Sequence, residues 1–134
     1  MPFLFTALLV AAAMACSGGP SQPDRVPKEK PFVLKIGESA LTTDDIRIRF
    51  DAVRSDSRCP SGAQCIWAGE ATIAVTLSRY GEIPTGRELV LPGERASTTF
   101  QNFTITFTAL APYPGSGGGT SKEDYRATFV VNLR

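Results

Sequence analysis

The sequence predicts an all-β fold, an antiparallel β-sandwich of seven or eight strands with an immunoglobulin-like architecture. Apolar and polar residues alternate with a period of two from Phe32 to the end of the chain, and no window of about eleven residues shows a helical apolar stripe. Turns rich in Gly and Pro separate the alternating runs. Such alternation is typical of antiparallel sheets with one face in water, and two of them packed face to face form a sandwich. A small β-barrel is the alternative.

Six alternating runs account for most of the predicted strands. Their inward candidates are Phe32, Leu34 and Ile36; Ile46, Ile48 and Phe50; Ile73, Val75 and Leu77; Leu89 and Leu91; Phe103, Ile105 and Phe107; and Tyr125, Ala127, Phe129, Val131 and Leu133. The predicted turns between them include residues 37–39, 81–84, 92–93 and 112–119. Residues 32–134 are enough for one domain with a single core.

The N-terminus has the features of a bacterial export signal. Residues 3–13 are apolar except for Thr6, and this run is shorter than the roughly 20 residues of a membrane span. The junction Ala13-Met14-Ala15-Cys16 resembles the lipobox of bacterial lipoproteins. This resemblance implies removal of residues 1–15, a lipidated Cys16 and, because Ser17 rather than Asp follows, an outer-membrane location facing the periplasm. A plain cleaved signal and a retained anchor are the alternatives.

The segment after Cys16 is predicted to be a tether. Residues 17–31 contain four prolines and only one large apolar residue, Val26. Such a segment buries too little surface to offset its ordering entropy, and its prolines favour extended geometry. We therefore expect residues 16–31 to link the lipid to the domain and to be dispensable for folding.

The balance of charged residues and the absence of His argue against several classes of function. The chain has 14 Lys and Arg against 13 Asp and Glu, and no His. This balance argues against a nucleic-acid partner, which requires clustered basic residues. The absence of His removes the commonest zinc ligand and the usual general base at neutral pH. We predict no metal and no cofactor.

The three cysteines are consistent with a lipidated protein. Lipidation of Cys16 would leave Cys59 and Cys65, and in an oxidising envelope we expect this pair to form a structural disulfide. A redox pair and a metal site are the alternatives. The spacing lacks the Cys-x-x-Cys pattern of redox proteins, and no His completes a metal site.

The stretch around these cysteines is the least generic part of the sequence. It contains Asp-Ser-Arg-Cys-Pro at 56–60 and Cys-Ile-Trp-Ala-Gly-Glu-Ala at 65–71. It resembles the Asp-Ser-Arg-Cys-Pro…Cys-x-Trp-x-Gly-x-Ala motif of a group of uncharacterised bacterial envelope lipoproteins. The resemblance extends more loosely to residues 36–39, 110–114 and 124–125. This group implies kinship and an envelope location but no assigned activity.

Four residues are candidates for a binding surface: Trp67, Tyr113, Arg58 and Glu70. Trp67 is expected either to pack in the core beside the disulfide or to be exposed as a stacking platform. Arg58 and Glu70, with Asp56, are expected to form exposed ion pairs of little energy or to belong to a site. Tyr113 is expected to cover one end of the sandwich or to contact a ligand.

The function predicted from these observations is that of a lipid-anchored binding or structural module of the bacterial envelope. Its partner would be an envelope protein or a glycan, in addition to the membrane that holds the lipid. Loops on a rigid sandwich are where such folds usually place recognition. We do not expect an enzyme. The alternative is a histidine-independent envelope enzyme that uses carboxylate or Ser/Lys chemistry.

Overall fold

The computed structural model describes residues 25–115 and 121–134. These residues form eight β-strands and two short 3-10 helices, at Glu94–Ala96 and Lys122–Asp124. The strands are β1 (Phe32–Lys35), β2 (Ser39–Leu41), β3 (Ile46–Asp56), β4 (Ala71–Arg79), β5 (Thr85–Leu91), β6 (Ser97–Phe100), β7 (Phe103–Ala111) and β8 (Arg126–Leu133).

The strands form two four-stranded antiparallel sheets. Their orders are β1-β8-β7-β6 and β2-β3-β4-β5, and the sheets do not close into a barrel. The predicted β-sandwich is therefore confirmed, and the barrel alternative is wrong. Because β2 to β5 follow one another as a meander, the likeness to immunoglobulin domains is one of architecture and not of strand order.

The core lies between the sheets and consists mainly of the alternating residues that the sequence predicts, together with Ala71, Phe100 and Leu110. Leu133, predicted to face inward, is instead 60% exposed, because it lies at the end of β8. Phe129 on β8 is at its centre, with its ring centroid 5.9 Å from those of Phe32 and Phe107 and 6.3 Å from that of Phe50. Phe50 comes from the opposite sheet, and its ring meets that of Phe129 edge to face. This aromatic cluster joins the two sheets, and three of its four rings have no exposed surface.

A bulge in β7 changes which residues face the core. Phe103, Ile105 and Phe107 alternate inward as predicted, but the pairing with β8 shifts between Phe107 and Ala109. After the shift Leu110 is buried, whereas plain alternation would have turned Ala109 inward. The bulge thereby directs the end of β7 toward the loop described below.

The segment before β1 packs on the domain. The Val26 N–H donates to Leu41 O at 2.9 Å, the Thr43 N–H donates to Val26 O at 3.1 Å, and the Glu29 N–H donates to Val131 O at 2.9 Å. The folded domain thus begins earlier than the predicted boundary at Phe32. A proline-rich composition did not prevent this packing, because the bonds use backbone groups of residues between the prolines. The predicted signal peptide, Cys16 and residues 17–24 lie outside the described residues.

The two ends of the sandwich are distinct. The end that contains residues 42–45, the β4–β5 turn at 80–84 and the β6–β7 turn at 101–102 receives the chain at Val26, and we call it the entry end. The opposite end contains residues 57–70, 92–96, 111–115 and 121–125, and we call it the loop end. None of the helical segments in the described ranges has the length and apolar character of a membrane span.

Candidate binding site at the loop end

The loop from residue 57 to residue 70 joins β3 to β4 and is closed at two levels. At its base, the Ser57 N–H donates to Glu70 O at 2.8 Å, and the Glu70 N–H donates to Ser57 Oγ at 3.0 Å. Further out, the Cys59 N–H donates to Ala68 O at 2.9 Å. The predicted disulfide between Cys59 and Cys65 is present, with the Cα atoms 5.9 Å apart.

Close approach of the two arms of this loop requires a glycine. Gly69 has a φ of +72°, and a Cβ atom built there would lie 1.8 Å from the carbonyl oxygen of Ser57. Any side chain would force the arms apart, whereas glycine has neither the clash nor the strain of a positive φ. Gly69 therefore holds the loop against the end of β3.

A buried ion pair lies beneath the loop. Asp56 pairs across the sheet with Ala71, which is fully buried, so both side chains point to the inner face. The Asp56 carboxylate accepts from Arg58 Nε at 2.8 Å and from Arg58 Nη2 at 2.7 Å. The two side chains are only 7% and 9% exposed. The expectation that Asp56 and Arg58 form an exposed, weak pair is therefore wrong.

Arg58 joins this loop to the end of β7 and the chain that follows it. Its Nη1 donates to Leu110 O at 2.7 Å and its Nη2 donates to Pro112 O at 3.0 Å. Its guanidinium carbon lies 4.7 Å from the ring centroid of Tyr113, in cation–π geometry. Two segments more than 50 residues apart in sequence are thus held together by one side chain.

The pKa shifts follow from these contacts. Burial raises the pKa of Asp56, but the hydrogen bonds and charge of Arg58, with a bond from the Tyr125 hydroxyl at 3.1 Å, outweigh it and leave the pKa below its ordinary value. The bond to Asp56 raises the pKa of Arg58, although burial opposes it. Burial, followed by the bond to Asp56, raises the pKa of Tyr125. Asp56 and Arg58 are therefore charged and bonded to each other, and neither is available as an acid or base.

A groove with a volume of about 390 Å³ lies beside the ion pair. Its lining is mainly apolar and comes from three segments of the loop end, with Ala68, Leu91, Pro92 and Leu110 among the lining residues. Arg58, Tyr113 and Thr108 contribute polar groups to the wall, and Tyr113 is 44% exposed. The structure therefore brings Arg58 and Tyr113, both predicted as surface candidates, into one site.

Trp67 is in the exposed part of the loop, between Cys65 and the groove-lining Ala68 in sequence. Its side chain is 78% exposed, and that of Ile66 is 90% exposed. Packing of the indole in the core beside the disulfide is therefore wrong, because every residue from 60 to 68 is exposed and the bridge spans the loop outside the core. Of the two alternatives for Trp67, the exposed position is the observed one.

Glu70 is separate from this surface. Its Oε1 accepts from Arg95 Nη2 at 2.6 Å, and both side chains are more than half exposed. Glu70 does not line the groove. This pair matches the expectation of an exposed ion pair and connects the base of the loop to the 3-10 helix after β5.

The sequence did not identify two residues of this site, Ile66 and Tyr125. Ile66 adjoins Trp67 in a loop where no alternation predicts burial, and this could have marked both as exposed. The ion pairing of Asp56 and Arg58 was expected, and their spacing places both on one side of an extended chain, but the burial of the pair was not predicted. No local pattern indicates the bond from Tyr125, which is 69 residues from Asp56.

Neither the side chains that could bind a metal ion nor the comparisons with known proteins assign a chemical activity to the site. Within residues 25–115 and 121–134, no group of three or more His, Cys, Asp or Glu side chains is arranged to hold a metal ion. The chain matches no protein-family model, no curated protein sequence and no solved structure.

Proposed function

We propose that this chain is a lipid-anchored binding module of the bacterial envelope, and that it contacts a partner protein through the loop end. The contact surface consists of the exposed side chains of Ile66 and Trp67 and of the groove that the next residue, Ala68, helps to line. The observation that carries this proposal is the exposure of Ile66 and Trp67, two large apolar side chains on a loop closed by a disulfide. Large exposed apolar groups on a rigid support are typical of interaction sites.

The support beneath the loop favours binding without large rearrangement. The disulfide, the Arg58 bonds and the close approach at Gly69 hold the loop from three sides. Holding a loop in its binding conformation lowers the entropy loss on association. The ion pair itself favours binding over the enzyme alternative, since Asp56 and Arg58 neutralise each other and neither of these two charged groups is free to act as an acid or base.

The chemistry of the surface favours a protein over a glycan. Ile66 is branched and aliphatic, and much of the groove lining is apolar. Interfaces between proteins concentrate aromatic and apolar groups at their centre. A glycan site would instead place several hydrogen-bonding side chains around an aromatic face to satisfy the sugar hydroxyls.

Photo-crosslinking in cells tests this proposal. A photoreactive amino acid replaces Trp67 in one variant and Arg87, an exposed residue on β5, in the matched control. We expect a discrete protein product at position 67 that is absent at position 87 and is lost when Ile66→Ser is added. Equal products at both positions, or none at 67, would contradict the proposal. A product released by a peptidoglycan hydrolase would indicate a glycan partner.

The anchor is tested separately by Cys16→Ser. The lipobox resemblance and the odd number of cysteines support lipidation at this residue. We expect the variant to leave the membrane fraction and to lose the mobility shift of the lipid. Retention in the membrane with unchanged mobility would show that another segment holds the protein there.

A further inference from the structure

The entry end exposes apolar side chains of its own. Tyr80 and Ile83, in the turn between β4 and β5, are 98% and 87% exposed. Leu133, at the end of β8, is 60% exposed. The turn is closed by a hydrogen bond from the Glu82 N–H to Arg79 O at 3.0 Å, so Tyr80 and Ile83 are held on a short hairpin.

These residues share one end of the sandwich. Arg79 pairs with Ile46 at the start of β3. Its Nη1 donates at 2.7 Å to Oε1 of Gln101, which lies in the β6–β7 turn. That turn leads into Phe103, the β-sheet partner of Leu133. The exposed apolar groups of β4–β5 and β8 therefore project from the same end.

The chain enters the domain beside this hairpin. Arg25 forms an ion pair with Asp45, and Asp45 and Tyr80 line the same cavity of about 490 Å³. Only the eight residues from 17 to 24 separate Cys16 from Arg25, and they span at most about 30 Å. By comparison, the 11 residues of β3 extend over about 35 Å from the entry end to the loop end. A lipid on Cys16 would therefore keep the entry end within about 30 Å of the bilayer, whereas the loop end lies about 35 Å farther along the domain.

The side chains of the entry end suit the interface of a membrane. Tyrosine is enriched at the level of the lipid headgroups, and an aliphatic side chain such as Ile83 gains from burial at the acyl boundary. Arg47 donates to the Ser39 hydroxyl, and Arg79 donates to an amide oxygen. Because these partners are neutral, the bonds do not offset the positive charges of the two guanidinium groups, and Asp45, which lines the same cavity as Arg47, is paired with Arg25. The two positive charges attract anionic headgroups.

We propose that the entry end is a membrane-contact surface, on which Tyr80 and Ile83 insert into the bilayer that holds the Cys16 lipid. The proposal rests on the lipid anchor of the proposed function and extends it to the orientation of the domain. The loop end then faces away from the membrane, and Ile66 and Trp67 are presented to partners in the periplasm.

The single tryptophan of the chain allows a matched test. The full lipidated chain is reconstituted into vesicles of phosphatidylethanolamine and phosphatidylglycerol that contain brominated lipid, a short-range quencher of indole emission. The wild type reports on the loop end through Trp67. A Trp67→Phe, Tyr80→Trp double variant moves the only indole to the entry end, and both positions are exposed, so folding is preserved. We expect a large loss of emission in the double variant and almost none in the wild type.

Flotation with the vesicles separates the two proposals. If the protein floats but the double variant keeps its emission, the membrane contact is overturned and the anchor stands. Stronger quenching of the wild type than of the double variant reverses the orientation and overturns the contact. If the protein does not float, the anchor fails, and the membrane contact that depends on it fails as well.

Discussion

The guanidinium of Arg58 donates two hydrogen bonds to the carboxylate of Asp56 in a buried ion pair. This pair connects the two sheets at the loop end. Arg58, a residue of the β3–β4 loop, also donates to Leu110 O at the end of β7 and to Pro112 O just after it. Arg58 is therefore one of the residues that fix the position of the candidate binding loop, and its contribution can be measured by substitution.

Arg58→Ala is expected to lower the free energy of unfolding by about 3 kcal/mol, because it leaves the Asp56 charge buried without its partner. Arg58→Lys is expected to recover part of this loss, since a lysine keeps the charge but not the bidentate geometry. Urea unfolding followed by far-UV circular dichroism measures both. The matched control is Arg95→Ala, which removes an exposed pair with Glu70 and is expected to change stability by under about 1 kcal/mol. Equal effects of Arg58→Ala and Arg95→Ala would show that the buried pair has no special role.

The lowered pKa of Asp56 predicts a dependence of stability on pH. The carboxyl group binds its proton more weakly in the folded than in the unfolded protein, so its contribution is complete above the unfolded pKa of about 4 and is lost as the pH falls through the folded value. The difference in unfolding free energy between the wild type and Asp56→Asn should therefore be largest near neutral pH and shrink below about pH 4. A difference that stays constant down to acid pH would contradict the assignment. Glu70→Gln serves as the control for loss of an exposed pair.

Replacement of both Cys59 and Cys65 by Ala is expected to lower the free energy of unfolding by about 2.4 kcal/mol, the chain-entropy value for closure of a seven-residue loop. For a domain near 100 residues this corresponds to a decrease in Tm of about 10 °C or more. Calorimetry measures the change. The core lies outside the loop, so far-UV circular dichroism of the variant should match that of the wild type. A wild-type Tm would show that the bridge does not constrain the unfolded chain.

Gly69→Ala is expected to destabilise the protein more than Gly62→Ala. Both glycines have positive φ, but a Cβ atom at 69 would meet Ser57 O at 1.8 Å, whereas one at 62 has nothing within 4 Å. In the control variant, Gly62→Ala, the only cost is that of placing a residue with a Cβ atom at a positive φ, which is about 1 kcal/mol. In Gly69→Ala the bonds between Ser57 and Glu70 should open as well, and faster amide exchange at these residues would report this. Equal stability of the two variants would contradict the close approach.

Removal of residues 25–31 is expected to destabilise the domain. A chain that starts at Phe32 lacks the three backbone bonds of Val26 and Glu29 and the ion pairs of Arg25 and Lys28, a loss of about 2–3 kcal/mol at about 1 kcal/mol for each backbone bond. Thermal unfolding of chains that start at Arg25 and at Phe32 measures this difference. Identical melting would support the original expectation that this segment is dispensable.

The predictions made from the sequence were most accurate where a residue's environment follows from its immediate neighbours. The alternation of apolar and polar residues identified six strands and most of the inward residues of the core, among them Phe50 and Phe129. It did not identify β2, which contains only three residues beside a turn, or β6, where Ser and Thr precede a single buried Phe100. Short strands of this kind are determined by pairing with a neighbour and carry little periodic signal of their own.

The bulge in β7 and the positions of the site residues likewise depend on contacts in the folded chain that local sequence does not indicate. Leu110 is buried because the pairing with β8 shifts, and no count along the sequence predicts that shift. Trp67 is exposed because the disulfide loop projects beyond the ends of the sheets, so proximity to Cys65 in sequence did not place the indole in the core.

The sequence by itself determined the fold class, the single core and the pairing of Cys59 with Cys65, because these follow from the period of apolar residues and from the number and spacing of cysteines. Only the tertiary structure decided that Arg58 is buried, that Trp67 is exposed and that Val26 belongs to the domain. The burial of Arg58 depends on the carbonyl oxygens of Leu110 and Pro112, and the position of Val26 depends on the backbone of Leu41 and Thr43, all of which are distant in sequence. The exposure of Trp67 depends on how far its loop extends beyond the sheets. Burial of a charged side chain is favourable only where the folded chain supplies its partners, and local sequence does not encode where those partners will lie.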